Sequence, residues 1–265
     1  SHWLRVVFNC DGPITKQSET RLSFRTCGGR ARSLEGRNPH LEAGPNQIEA
    51  SLSLSVRNDH HERTIVAPAI IAGVGVHTGR RVRLAVRPAP AGAGIVFVRT
   101  DVTDRDNRIP VSGEAVVDAR LNTMIENAAG VRLSTIEHLM AAFCALGVSN
   151  AVVEVDGPEL PILDGSALEF VQLLDRAGFR PQAQPQRYIE ILETVHVTEG
   201  DKHAALLPCD RYEMRFEIDF PSAVIGNQII DFVVDEPTFR KEIMACRTFG
   251  FAHEVEALRQ AGLAR

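Results

Sequence analysis

Hydrophobic and polar positions divide the chain into a first stretch without a lasting period and a patterned remainder from Thr64 onward. Val82, Leu84 and Val86 alternate with Arg81, Arg83 and Arg87, the two-residue period of a half-buried strand. The run Pro88-Ala89-Pro90-Ala91-Gly92-Ala93-Gly94 is a turn, and 95–98 is the next strand, so a hairpin is expected there. Residues 134–146 read as a helix. Ile136, Leu139, Met140, Phe143 and Leu146 share one face, and Gly147 is a natural stop. Ser134 followed three places later by Glu137 has the form of a capping box. Residues 151–155 are a strand. Ser166-Ala167-Leu168-Glu169 repeats the capping pattern ahead of a helix that runs to Gly178.

Pro181-Gln182-Ala183-Gln184-Pro185-Gln186 is polar and hostile to helix, and reads as a linker. A second strand-rich block follows. Residues 189–197 form one or two strands. Met214, Phe216, Ile218 and Phe220 alternate with Arg215, Glu217 and Asp219, and 229–234 is another strand. Pro237, favoured in a first helical turn, opens a helix to about Cys246, and a last helix covers 253–261. Two β-rich blocks, each followed by helix, predict an α+β architecture of sheet and helix layers. Regular alternation of strand and helix is absent, which argues against a doubly wound sheet. The expected organisation is an extension without order over 1–62, a first α+β domain over 63–180 and a second over 187–265. In 1–62 only 48–56 alternates weakly.

Composition narrows the function classes. Of 265 residues, 44% are hydrophobic and 24% charged, so a core of ordinary size is available. The formal net charge of −5 argues against nucleic-acid binding by bulk basicity. Residues 1–61 carry eight Lys and Arg against six Asp and Glu, too small a balance for a nucleic-acid arm. The longest apolar stretch, 65–76, has 12 residues and is broken by Pro68, Gly73 and Gly75. A membrane-spanning helix needs about 20, so none is expected. The five cysteines include no Cys-x-x-Cys pair, which fits a reducing cytoplasm. Cys144, inside the apolar helical pattern, reads as a small core residue. No secretory signal pattern is visible at the N-terminus. The first methionine is Met124, which reads as a trimmed N-terminus or a fragment.

Several segments carry candidate chemistry. Gly73-Val74-Gly75-Val76-His77-Thr78-Gly79 lacks the third glycine of a dinucleotide fingerprint, since position 78 is threonine. It reads as a glycine-shaped turn bearing a histidine. Glu137-His138 lies in the first turn of the helix over 134–146. With Ile136 at zero, His138 falls at about 200° and Glu137 at about 100°, away from the apolar stripe. An imidazole suits zinc, and a neighbouring carboxylate suits general-base activation of water. The plainer reading is a helix cap and a surface histidine. None of the nine histidines has a ligand-type residue four places later, so no helical zinc pair is present. Glu199 precedes His203 by four, but Gly200 makes that pair a turn. In Arg247-Thr248-Phe249-Gly250-Phe251 a threonine hydroxyl after a helix is a candidate oxyanion donor. The alternative is a helix-ending loop with Phe249 and Phe251 packed in a core. Leu163-Asp164-Gly165-Ser166-Ala167 reads as a turn and cap, and neither a nucleophile elbow nor a phosphate loop is found.

Taken in order, five runs resemble one family, the UDP-3-O-acyl-N-acetylglucosamine deacetylases of lipid A synthesis. They are 73–79, Arg87-Pro88-Ala89-Pro90, Ser134-Thr135-Ile136-Glu137-His138-Leu139, Leu160-Pro161-Ile162-Leu163-Asp164-Gly165-Ser166-Ala167 and 247–251. The resemblance implies two domains of similar topology, a hydrolase that removes an N-acetyl group, and a Zn2+ cofactor. It implies that His138 is a zinc ligand, Glu137 the general base and Thr248 a donor to the oxyanion. It places His77 near the site and Phe249 on the substrate surface. In this family a later His-Lys-x-x-Asp stretch supplies two further zinc ligands and a still later histidine the general acid. The chain reaches Arg265 without them, so an incomplete second domain, weak zinc binding and an inactive fragment are expected. The expected partner is the glycolipid UDP-3-O-acyl-N-acetylglucosamine, with no nucleic acid, and the expected state is a cytoplasmic monomer. The alternative is a non-catalytic relative that binds a nucleotide-sugar lipid.

Overall fold

The computed structural model describes residues 3–11, 52–199 and 202–260. Its strands in chain order are β1 (Trp3–Asp11), β2 (Leu52–Ile65), β3 (Ala69–Val74), β4 (Arg81–Pro88), β5 (Ile95–Arg99), β6 (Arg108–Pro110), β7 (Val116–Asp118), β8 (Met124–Glu126), β9 (Arg132–Leu133), β10 (Ala151–Val155), β11 (Phe179–Ile191), β12 (Val195–Glu199), β13 (Lys202–Cys209), β14 (Glu213–Phe220) and β15 (Gly226–Val233). The helices are α1 (Glu137–Ala145), α2 (Leu168–Ala177), α3 (Glu236–Thr238) and α4 (Ala252–Gln260), and the class is α+β. Within the stretch read as an extension, β1 and most of β2 are strands. Residues 12–51, the remainder of it that matters to that reading, lie outside the described residues.

The chain forms two compact units. One comprises 1–56 and 187–234, and the other 57–186 and 235–265. The first is a sheet of order β12-β13-β1-β14-β15. There β1 runs antiparallel to β13 and parallel to β14. On β14 the expected alternation is shallow, since nearly every residue is half-buried. Phe216 stacks with Phe232 of β15 at 6.2 Å between ring centroids.

The second unit holds all the candidate site residues. Its main sheet has the order β3-β4-β10-β5-β6. The alternation on β4 places Val82, Leu84 and Val86 inside and Arg81, Arg83 and Arg87 outside, as the pattern predicts. The expected hairpin between β4 and β5 does not form. β10 lies between them, antiparallel to β4 and parallel to β5. The seven residues of the 88–94 turn are long enough to span that gap, and buried side chains satisfy the backbone of the turn. Glu62 accepts from the Gly92 N–H at 2.6 Å, and Asn150 Oδ1 accepts from the Gly94 N–H at 2.7 Å.

The core joins this sheet to both longer helices. Phe97, Val153 and Leu84 from the sheet meet Leu139 and Phe143 of α1 and Phe170 and Leu174 of α2. Cys144 is not part of it. As a residue Cys144 is exposed, because the face formed by Leu139, Ala142, Phe143 and Leu146 takes the buried positions, although local burial still pushes its thiol up. The proposed linker 181–186 is strand as well, part of β11, which pairs with β2. A polar run with two prolines suits an extended edge, and Gln182 and Gln186 find partners. Gln182 donates to the Ala89 carbonyl at 2.9 Å and accepts from Asn150 Nδ2 at 2.8 Å.

The segment after Val234, assigned by pattern to the second block, clusters with this unit. Asp235 caps α3 by accepting from the Thr238 N–H at 2.8 Å. The helix then widens into a π-turn over Phe239–Ile243 rather than continuing as regular α-helix to Cys246. Phe239 is buried in the core, and Arg240 makes a two-pronged pair with Asp175 of α2 at 2.7 and 2.8 Å.

Candidate active site

Glu137 and His138 open α1, as the sequence predicts, but the capping box is absent. The N-cap is Ile136, without a side-chain cap bond. Ser134 lies two places before that cap: its backbone forms a bridge with Glu159 and its hydroxyl donates to the Pro158 carbonyl at 3.3 Å. Its N–H donates to the Pro158 carbonyl at 3.0 Å, and its carbonyl accepts from the Leu160 N–H at 3.0 Å. The chain turns from this bridge into the helix through Thr135, whose φ is 61°. Glu137 is thereby released from capping. Its Oε2 instead accepts from the Thr123 N–H at 2.9 Å. Oε1 stands 4.0 Å from His138 Nε2, close but beyond hydrogen-bond range. The Glu137 side chain is 35% exposed and that of His138 15%. One carboxylate oxygen is thus held by the backbone, and the other faces the imidazole.

The His77 turn is tied to the same place. Glu159, which is 1% exposed, accepts at Oε1 from the His77 N–H at 2.9 Å and at Oε2 from the Thr78 N–H at 2.8 Å. Oε1 also receives the buried Thr135 hydroxyl at 3.3 Å. A single carboxylate therefore joins the 75–79 turn to the turn that precedes Glu137. His77 Nδ1 is buried without a hydrogen-bond partner among the described residues.

The segment beginning at Glu159 continues along the other candidate elements. The Ile162 N–H donates to the Val74 carbonyl at 3.0 Å, and a Cβ on Gly73 would lie 2.8 Å from the Pro161 Cβ. Leu163, at φ 53°, and Gly165, at φ 83°, then reverse the chain. Asp164 Oδ1 accepts from the Ser166 N–H and hydroxyl at 3.0 and 2.8 Å, and Ser166 Oγ accepts from the Leu168 N–H at 3.1 Å. So Ser166 does serve the start of α2, without help from Glu169. At Gly165 the carbonyl accepts from the Thr248 N–H at 2.8 Å. Residues 159–166 thus contact the His77 turn, the Thr135 turn and the Thr248 loop in succession.

Thr248 is exposed, and Phe249 is 58% exposed, so Phe249 is not a core residue. Its ring meets that of Phe251 edge-on at 5.8 Å, and Phe251 stacks on His253 at 5.3 Å. This leaves an aromatic surface beside the threonine.

The expected zinc was tested against these donors. Among the described residues no three His, Cys, Asp or Glu side chains converge as a metal site. His138 with the adjacent Glu137 offers one imidazole and one carboxylate, short of the three protein ligands of a catalytic zinc. The residues described do not by themselves fit the ion.

Two residues of this arrangement carry no mark in the sequence. Glu159 and Thr135 look like an ordinary acid before a short apolar run and an ordinary helix-flanking threonine. Their roles come from contacts across 82 and 24 residues of chain.

Comparison with known proteins bears on the same segments. The family described as UDP-3-O-acyl N-acetylglycosamine deacetylase matches residues 62–265. A relative from Phenylobacterium zucineum, named UDP-3-O-acyl-N-acetylglucosamine deacetylase, is 64% identical over 204 residues, covering 77% of this chain and 70% of its own. Proteins of the same name from Myxococcus xanthus and a Shewanella species are 46% identical over 208 residues and 45% identical over 205. Those matches cover 78% and 77% of this chain, and 66% and 67% of theirs. The chain thus spans about two thirds of the length of these relatives.

Proposed function

The chain belongs to the UDP-3-O-acyl N-acetylglycosamine deacetylase family, a family of hydrolases, and from this premise we propose that its site hydrolyses the N-acetyl group of UDP-3-O-acyl-N-acetylglucosamine. The observation that carries the reading is the Glu137–His138 pair, 4.0 Å apart at the first turn of α1. Glu137 takes a proton from the attacking water, using the oxygen that the Thr123 N–H does not occupy. The water oxygen bonds to the acetamide carbon. The Thr248 hydroxyl donates to the oxyanion as it forms, on a loop anchored to Gly165. The C–N bond then breaks, the nitrogen gains a proton, and amine and acetate leave. Phe249 provides apolar surface for the glycolipid, and His77 borders the site.

Zinc is the cofactor that the family resemblance implies, with His138 as a ligand. The donors described do not complete its site, and no step above depends on it. A preparation of these 265 residues is therefore expected to hold zinc weakly and to turn over slowly. The test combines calorimetric titration with the UDP-glycolipid and detection of released acetate, with and without saturating zinc. Binding together with acetate release that is lost on Glu137→Gln is the expected result. Binding without turnover under saturating zinc would move the assignment to a non-catalytic glycolipid binder. Neither binding nor turnover would remove both.

A further inference from the structure

We propose that Glu159 is a positioning residue, whose buried carboxylate fixes the His77 turn against the Thr135 turn and so sets where the Glu137–His138 pair stands. Three unfavourable features meet at this one point. First, a carboxylate that is 1% exposed is held by two backbone N–H groups and a hydroxyl. Burying such a charge is costly even when it is hydrogen-bonded. Second, Thr135 is β-branched and sits at φ 61°, a left-handed conformation that β-branched residues rarely adopt. Third, position 75 has no room for a side chain, because a Cβ there would fall 2.3 Å from Glu159 Oε2 and 2.6 Å from Thr78 Oγ1.

A turn needs none of these features merely to close, and backbone strain gathers where a particular geometry has a use. The strained residue lies three places before His138 and hydrogen-bonds the carboxylate that holds His77. Displacing Glu159 therefore moves both histidine-bearing segments, which are 61 residues apart in sequence (138 against 77). The catalytic consequence rests on the deacetylase reading, whereas the mechanical coupling does not.

The experiment uses the whole chain with isotope-labelled histidine, as wild type and as Glu159→Gln, Thr135→Val and Thr135→Ser. Ring signals of His77 and His138 are assigned from single His→Gln variants. His196 and His203, on β12 and β13 of the other unit, serve as internal references. Thermal unfolding and, where wild type releases acetate, kcat and KM are measured in parallel. Glu159→Gln is expected to shift His77 and His138 together and leave His196 and His203 in place. It should lower kcat about tenfold or more with KM within about twofold, the signature of misplaced groups. Thr135→Val, which keeps the shape and loses the hydroxyl, is expected to shift His138 as well, and Thr135→Ser to restore the wild-type signal. Unchanged His138 signals in Glu159→Gln, with only a lower melting temperature, would overturn the proposal. If Glu159→Gln does not fold, unchanged His77 and His138 signals in Thr135→Val would overturn it instead. Absence of acetate release from wild type under saturating zinc would remove the catalytic reading while the ring signals still decide the coupling.

Discussion

Gly75 and Glu159 occupy one another's space so closely that a Cβ on the glycine would stand 2.3 Å from the carboxylate oxygen Oε2. Gly75 is not a glycine of unusual backbone angle, in contrast to Gly79 at φ 64°. Its requirement is steric. The carboxylate reaches the N–H groups of His77 and Thr78 only by passing over a residue without a side chain.

Gly75→Ala is therefore expected to destabilise the protein by about 1–3 kcal/mol, the usual cost of overpacking a filled interior. The carboxylate cannot swing aside without abandoning buried donors. Gly113→Ala is the control, since a Cβ there meets nothing within 4 Å. It should be near neutral. Denaturant unfolding of the two variants gives the comparison, and equal midpoints would contradict the steric account.

His138 is the described imidazole beside the proposed base, and a single imidazole makes a weak zinc site. The purified chain should hold less than one equivalent of zinc after dialysis, measured by elemental analysis. His138→Ala should lower the remainder. Stoichiometric zinc in the wild-type chain, with activity lost on His138→Ala, would show that the missing ligands come from residues not described.

Phe249 is 58% exposed, so its truncation should leave stability within about 0.5 kcal/mol of wild type. If its ring covers the acyl chain, Phe249→Ala should weaken glycolipid affinity about tenfold or more, from the apolar area no longer buried. Titration of a short-acyl analogue should show a smaller loss. Equal loss for both ligands would place the ring elsewhere on the substrate.

The Asp175–Arg240 pair fastens the π-turn to α2. The Arg240 guanidinium beside Asp175 holds its carboxyl below the ordinary carboxylate range. The folded value is the lower one. The pair's contribution is therefore present above the unfolded value of about 3.9 and is lost as pH falls through the folded value. Both side chains are at least 30% exposed, so Asp175→Asn should cost at most about 1 kcal/mol at neutral pH. Urea midpoints of wild type and variant should converge as pH falls below the lowered folded value, and a constant difference at every pH would remove the electrostatic explanation.

Much of the second unit was legible in the pattern of the chain. The β4 alternation, α1 ending at Gly147 and α2 ending at Gly178 all follow from local rules, since both glycines adopt positive φ. The errors share a cause. Ser134 and Glu137 have the spacing of a capping box, but the bridge to Glu159 claims the Ser134 backbone first. The run 181–186 looks like a linker because polarity and proline suit a loop and an edge strand equally. β4 and β5 look like a hairpin because periodicity records which face is buried and not which strand lies alongside.

Sequence alone determined the chemistry available here. An acid beside a histidine, a threonine before a phenylalanine and a histidine in a glycine-lined turn are readable at a glance, and their order marks the family. Tertiary structure decided how those groups are held. Glu159 meets His77 across 82 residues and Thr135 across 24, and Thr248 returns to Gly165. Hydrophobic periodicity is a property of neighbouring residues. A buried carboxylate finds its donors only after the sheet and helices have brought distant turns together, and this is why the residue that joins the site was the one the pattern left unmarked.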